Sequence, residues 1–155
     1  MCVDDYVQVL IKLHELKEAK SMNEYSLALK KKCFFPIDRG IEFCFYYANA
    51  GHIHFFKKEY EKSVACYRTA LEKLEGKGAN GTPMVVYEIM SNLAMCLEKL
   101  NRIDESIAMA EAIRQYNKIY KAAKLEKSIY ILSNILRLKL KHHPFDRRAL
   151  KEDFR

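Results

Sequence analysis

The sequence predicts an all-α fold in which antiparallel helical hairpins stack into a right-handed superhelix. The composition favours helices, because only five Gly and three Pro occur among 155 residues and half of the residues are hydrophobic. Apolar residues recur with the period of amphipathic helices. An internal repeat, marked by three asparagines, indicates that one type of hairpin is used several times.

The repeat is visible in three apolar stretches that carry an asparagine at intervals of 43 and 42 residues: Asn49, Asn92 and Asn134. Eleven residues after each asparagine stands a large apolar residue, and an acidic residue follows it. These apolar residues are Tyr60, Ile103 and Phe145. Agreement at several offsets is improbable by chance, so the repeat is genuine.

Each repeat unit is predicted to be a hairpin of two helices. The first helices end in short polar turns near 57–58 and 100–101, and the second helices begin at Tyr60 and Ile103. The glycine-rich segment from Gly76 is predicted to be a loop, and Pro83 suits the first position of the next helix. The predicted hairpins occupy approximately residues 3–33, 41–76, 83–116 and 117–155 of a single domain.

Both ends of the chain follow the repeat less closely. In the N-terminal segment Tyr25 takes the place of Tyr60, and this register puts His14 where the asparagines lie. Pro36 interrupts the helix that follows, and Pro144 lies in a predicted turn. Because a helical-repeat array normally ends in a polar cap, Phe154 beside the terminus predicts that the chain is a fragment of a longer protein.

Charge and hydropathy argue against nucleic-acid and membrane binding. The net charge of +7 arises from lysines that are scattered among glutamates, which is typical of solvated helix faces. The sequence contains no recognisable nucleic-acid-binding motif, so we expect no direct contact with nucleic acid. No apolar run reaches the roughly 18 residues of a membrane span, and the start of the chain lacks a secretory signal.

Motifs for catalysis or metal binding do not occur in the sequence. The five cysteines form no CxxC pair, and we expect reduced packing residues in a cytoplasmic protein. Since no catalytic motif, metal-ligand spacing or cofactor signature is present, we expect a protein that is not an enzyme and that needs no metal or cofactor.

The unit around Asn49 resembles a tetratricopeptide repeat. It has the aromatic Tyr47, the small pair Ala50-Gly51, a turn before Tyr60, and Ala70 late in its second helix. The next unit, with its Leu93-Ala94 pair, is less similar. The resemblance implies that the first helices line a concave groove, which binds a short peptide or an extended protein segment.

The repeat intervals exceed the usual ~34 residues of this family, and each first helix carries an asparagine. Both features resemble the receptor domains of the RRNPP family of bacterial peptide-pheromone receptors. That resemblance implies the signalling-peptide-sensing domain of a transcriptional regulator, either as the regulatory half of a longer protein or as a stand-alone relative. The tyrosine-rich stretches FCFYY and YNKIY suit packing between repeats or the face of a homodimer. Two other functions stay open: a constitutive scaffold or co-chaperone-type module, and a sequestering or phosphatase-like regulator of a response regulator.

The asparagines mark the stripe of each first helix that is predicted to face the groove. A side-chain amide donates and accepts hydrogen bonds, so a row of asparagines suits the backbone of an extended peptide. Basic side chains on the later stripes suit a carboxylate. The candidate peptide-binding residues are Asn49, His52, Phe56, Glu88, Ser91, Asn92, Met95, Lys99, Tyr130, Asn134, Arg137 and Lys141. The alternative for the asparagines and for His52 is a packing role between neighbouring helices.

Overall fold

All regular structure in the described part of the chain is helical, as the sequence predicts. The computed structural model describes residues 2–32, 39–74, 83–120 and 125–142, without the side chains of Arg39, residues 125–132 and Ile135. The helices are α1 (Val3–Lys12), α2 (Leu16–Lys32), α3 (Arg39–Phe56), α4 (Tyr60–Glu72), α5 (Pro83–Lys99), α6 (Ile103–Tyr120) and α7 (Leu125–His142). Among these helices, none has the length and hydropathy that a membrane span requires.

Contacts between the helices divide the chain into two compact units. The N-terminal unit, Met1–Gly81, contains α1 to α4, and the C-terminal unit, Thr82–Arg155, contains α5 to α7. In the N-terminal unit, α1 pairs with α2, α3 pairs with α4, and both α1 and α2 contact α3. In the C-terminal unit, α6 packs against α5 and against α7. The described helices therefore form two compact units.

Three of the predicted helix starts agree with the structure. Tyr60, Pro83 and Ile103 are the first residues of α4, α5 and α6. Other predicted features lie outside the described residues: the break at Pro36, the loop after Gly76, and the turn at Pro144 with the helix that follows it.

Three turns share one backbone geometry and define the register of the repeats. His14, Lys58 and Asn101 have positive φ angles of 61°, 61° and 59°. At the first turn the N–H of His14 donates to the carbonyl three residues earlier at 3.1 Å, and the next N–H donates to the carbonyl five residues earlier at 2.9 Å. The same two bonds close α3 and α5. This is the Schellman motif, which ends a helix with one left-handed residue.

These turns correct the register predicted for the N-terminal hairpin. Because His14 occupies the place of Lys58, the counterpart of Tyr60 is Leu16 and not Tyr25. The prediction from Tyr25 is wrong because the turn comes nine residues earlier, immediately after α1 has buried its last apolar side chains, Leu10 and Ile11. His14 therefore lies in a turn and not at an asparagine position.

A serine hydrogen bond joins the two helices of both central hairpins. Ser63 Oγ donates to the carbonyl of Gly51 at 2.8 Å, and Ser106 Oγ donates to the carbonyl of Ala94 at 3.0 Å. Both serines are buried. Since a buried hydroxyl needs a hydrogen-bond partner, this contact explains why the sequence repeats a serine at the fourth position of the second helix.

Gly51 lets the backbone of α3 approach the buried ring of Tyr67 on α4. A Cβ atom at position 51 would lie 2.6 Å from Cε1 of Tyr67, well inside van der Waals contact. The equivalent residues of the next hairpin are Ala94 and Ala110, which contribute to one apolar cluster. The same helix–helix contact is therefore formed by a glycine and a tyrosine in one hairpin and by two alanines in the next.

A polar cluster fixes the first hairpin to the start of α3. Lys30 Nζ lies 2.7 Å from Asp4 Oδ2 and donates to the carbonyl of Glu42 at 3.2 Å. Ser26 Oγ donates to Asp4 Oδ1 at 2.9 Å. The side chains of Lys30 and Asp4 are only 12% and 14% exposed. The same three helices also share an apolar cluster, in which Ile53 of α3 packs with residues of α1 and α2.

Candidate functional site

Asn49 is a packing residue in the structure, and this corrects its prediction as a peptide contact. It is 1% exposed and lies in α3, where its Oδ1 accepts a hydrogen bond from Nε2 of Gln8 on α1. Its Nδ2 has no hydrogen-bond partner within the described residues. Because α1 covers this part of α3, the amide ties two first helices together and offers no surface to a ligand. The packing role is the alternative that the sequence left open.

His52 and Phe56 lie on the same helix as Asn49 and face neighbouring side chains of the N-terminal unit. The ring of His52 meets that of Tyr67 edge-to-face, with centroids 5.5 Å apart. Burial lowers the pKa of His52 to about 4, so this imidazole is neutral at pH 7. Phe56 contacts the ring of His14 at 5.0 Å and keeps an exposed face. Of these three candidates, Asn49 is buried, His52 is half-buried and Phe56 is exposed.

The candidate residues of α5 form one accessible stripe. Glu88, Met95 and Lys99 are exposed, and Ser91 and Asn92 are half-buried. The spacing of three or four residues places them on one side of the helix, while the opposite side is buried. The buried side consists of Tyr87, Ile89, Leu93, Cys96 and Leu97.

The side chains of this stripe differ in the contacts that they can make with a ligand. Ser91 Oγ donates to the carbonyl of Tyr87 at 2.8 Å, so its proton is already used within α5. The amide of Asn92 is half-buried beside it, and Met95 is 41% exposed. An amide next to an accessible thioether can contact the backbone and an apolar side chain of one peptide.

The candidate residues of α7 form a second, more basic stripe. Asn134 is half-buried, whereas Arg137 and Lys141 are exposed. Leu138, one helical turn after Asn134, is buried. The side chain of Tyr130, a further candidate, lies outside the described residues.

An ion pair brings the two stripes together within the C-terminal unit. Arg137 Nη2 donates to Glu98 Oε1 at 2.8 Å, although the two residues are 39 positions apart. A second ion pair, Lys139 Nζ to Glu111 Oε1 at 2.7 Å, joins α7 to α6. The α5–α7 face is the set of candidate residues that α5 and α7 contribute: Glu88, Ser91, Asn92, Met95, Lys99, Asn134, Arg137 and Lys141.

Two contact residues, Gln8 and Glu98, are missing from the candidates predicted by sequence. Gln8 donates to Asn49, and Glu98 accepts from Arg137. Neither follows the repeat pattern, because each contact depends on how one first helix crosses the next. A search for oppositely charged residues about one repeat apart, on first helices, would have suggested Glu98 and Arg137.

The side chains of the α5–α7 face are of types that bind peptides. The α5–α7 face combines amides, a thioether and cations, whose usual partners are peptide groups and carboxylates. Among the described residues, no three His, Cys, Asp or Glu side chains come together as metal ligands. Cys44 is buried, and burial raises the pKa of its thiol to about 11, so it is a poor nucleophile at neutral pH.

Comparison with known proteins identifies one repeat and a matching fold. A tetratricopeptide-repeat family model matches residues 46–72, which cover most of α3 and all of α4. The crystal structure of BtubC (BKLC) from P. vanneervenii superposes with a TM-score of 0.74 at 16% identity over 97% of this chain. The chain spans 59% of that protein. No curated protein matches the sequence.

These matches confirm the predicted class, an α-α superhelix of tetratricopeptide-like hairpins. A tetratricopeptide repeat is typically a non-catalytic module for protein–protein interaction, which binds peptides or protein segments. The chain therefore contains a repeat of the interaction type.

Proposed function

We propose that the C-terminal unit binds an extended, acidic peptide segment on the α5–α7 face. The observation that carries this proposal is the ion pair between Arg137 and Glu98, since it places a cation between two accessible stripes. Lys99 and Lys141 are exposed near it on the same helices. A carboxylate of the peptide binds Arg137 by a charge-assisted bond.

The two asparagines of this face bind the peptide backbone in the proposed complex. Asn92 and Asn134 are half-buried, so each residue keeps some accessible surface. An extended backbone leaves N–H and C=O groups unpaired, and one amide can pair with both. Met95 then contacts an apolar side chain of the peptide.

In its finer form, the proposal is that the ligand is a signalling peptide and that the chain is the sensing domain of a bacterial transcriptional regulator. The lengthened repeat intervals of 43 and 42 residues, with an asparagine in each first helix, support this form through resemblance to peptide-pheromone receptors. Sensing requires that the peptide prefer one conformation of the chain, because equal binding to all conformations transmits nothing.

The burial of Asn49 favours a second candidate, a constitutive scaffold or co-chaperone-type module. One of the three amides is occupied by Gln8, so the row of asparagines is shorter than a receptor of the predicted kind requires. A scaffold needs only a stable binding face. The two candidates differ in whether the peptide changes the shape of the chain.

Titration calorimetry with a pool of eight-residue peptides that carry free carboxyl termini and acidic side chains tests the proposal. Replacing both Asn92 and Asn134 with Ala should weaken binding by at least about tenfold, because hydrogen bonds to the peptide backbone are lost at both positions. Gln115→Ala, which removes an exposed amide from α6, is the matched control and should bind normally.

Two outcomes would contradict the binding proposal: unchanged affinity in the double variant, or a large fall in its melting temperature, which would assign the asparagines to packing. Small-angle scattering with and without the peptide pool then separates the two candidates. A peptide-dependent change in the radius of gyration supports a sensor, and an unchanged radius supports a scaffold.

A further inference from the structure

We infer that Glu98 is a built-in competitor for the ligand's carboxylate at Arg137. This inference rests on the proposed function, since it concerns how acidic peptides reach the α5–α7 face. In the free protein Glu98 Oε1 lies 2.8 Å from Arg137 Nη2, where the peptide's acidic group is proposed to bind. The chain thus holds its own carboxylate in the ligand's place.

The ion pair between Arg137 and Glu98 is exposed enough for another carboxylate to replace that of Glu98. The Arg137 side chain is 50% exposed and that of Glu98 is 37% exposed, so water reaches both partners. Ion pairs at this degree of exposure are weak, because water and salt screen the attraction. Glu98 can therefore leave Arg137 at small cost and regain full hydration.

Exchange makes the face selective for acidic groups. A peptide carboxylate replaces that of Glu98 one for one, so Arg137 keeps a charged partner throughout. An uncharged peptide has to break the pair without restoring it, because an amide cannot replace the charge–charge attraction. Lys99 and Lys141, exposed on the same two helices, favour a second negative charge on the ligand.

The ion pair between Lys139 and Glu111 supplies a matched control. Its atoms lie 2.7 Å apart, and it joins α7 to α6 in the same unit. Neither residue belongs to the α5–α7 face. Loss of this pair removes a comparable ion pair from α7 but leaves Arg137 paired with Glu98. A general effect of removing one glutamate would appear in both variants.

Binding of two peptide pools to the intact chain tests the inference. One pool consists of acidic octapeptides with free carboxyl termini, and the other has the same sequences with Asn and Gln for Asp and Glu and amidated ends. We expect Glu98→Gln to tighten binding of the acidic pool by about two- to fivefold, the effect of removing one exposed ion pair. Glu111→Gln should change neither affinity, and Arg137→Gln should remove the difference between the pools.

The outcomes separate this inference from the function on which it rests. If the wild type binds neither pool, the proposed function fails. If it binds the acidic pool through Arg137, yet Glu98→Gln binds that pool equally or less tightly, only the competitor role is overturned.

A second measurement needs no substitution. Acetate added to the wild type should shift the side-chain Nε–H resonance of Arg137 as it displaces Glu98. A resonance that stays fixed while the Lys99 and Lys141 signals move would overturn the inference.

Discussion

Lys58 has a backbone conformation that suits its side chain poorly. Its φ of 61° lies in the left-handed region, where a Cβ atom costs about 1 kcal/mol. Asn101, at the equivalent turn, tolerates this region better because asparagine is enriched there. We therefore predict that Lys58→Gly raises the free energy of unfolding by about 0.5–1 kcal/mol. Urea denaturation followed by circular dichroism measures the change.

Lys57→Gly is the natural control for this substitution. Lys57 is the exposed neighbour of Lys58, and its N–H donates to the carbonyl of Ile53 in the helical pattern. Glycine there should lower stability, because it loses more backbone entropy on folding. A loss of stability at both positions would show that the left-handed turn does not carry strain.

His52 should make the N-terminal unit sensitive to mild acid. Burial lowers its pKa in the folded state to about 4, below the ordinary value of 6.5. Between these values the unfolded chain binds a proton that the folded chain does not, so stability is full above pH 6.5 and falls towards pH 4. We expect a loss of about 3 kcal/mol over this range.

Urea unfolding at several pH values, compared between wild type and His52→Gln, isolates this contribution. The variant should lose less stability than the wild type as the pH falls from 7 to 4. His142→Gln, at the exposed end of α7, should behave as the wild type does. Parallel curves for wild type and His52→Gln would contradict the prediction.

At the scale of helices, the contact between α3 and α4 depends on the combined side-chain volume of residues 51 and 67. We predict that Gly51→Ala destabilises the protein by about 1–2 kcal/mol, although alanine is the better helix former, because its Cβ would overlap the ring of Tyr67. Thermal unfolding of the single variant measures this cost.

The double variant with Tyr67→Ala supplies the control, since it recreates the Ala94 and Ala110 pair of the next hairpin. In that background Gly51→Ala should be neutral or stabilising, which gives a coupling energy of about 1–3 kcal/mol. Additive effects of the two substitutions would contradict the steric explanation.

Much of the element order follows from the sequence because the repeated contacts are local. Ser63 and Ser106 each donate a hydrogen bond to a carbonyl twelve residues earlier. Each of these hairpins therefore carries a serine at the same position of its sequence. The first hairpin has Ala19 where these serines stand. Without a serine at this position, the aromatic Tyr25 indicates a wrong register for the first hairpin.

The candidate site is less predictable, because exposure depends on the neighbouring helix. Asn49 and Asn92 occupy the same repeat position, yet α1 buries the first while the second keeps accessible surface. The ion pair of Arg137 with Glu98 likewise depends on the crossing of α5 and α7. Sequence periodicity identifies the stripe but not which of its members a neighbour covers.

At the scale of the whole molecule, the net charge of +7 should speed the capture of acidic peptides. Surface charges act over a Debye length, which falls from roughly 14 Å at 0.05 M salt to roughly 4 Å at 0.5 M. We predict that the association rate for the acidic octapeptide pool falls about tenfold over this range. Stopped-flow fluorescence of labelled peptides measures the rate.

The amidated, uncharged pool is the control for this experiment, and its association rate should change little with salt. An acidic pool whose rate is equally insensitive would show that the basic side chains are too dispersed to steer a ligand. A steep fall for both pools would point to an effect of salt on the protein itself.

The polar cluster around Lys30 determines where the chain tolerates shortening. Removal of residues 1–15 would delete Asp4, the nearest counter-ion of Lys30, and leave that ammonium group with the more distant carboxylate of Glu42. The same deletion would take away Gln8 and uncover the amide of Asn49. A protease cut between α1 and α2 would thus weaken α3 as well. Trimmed versions intended for crystallisation should keep the first helix.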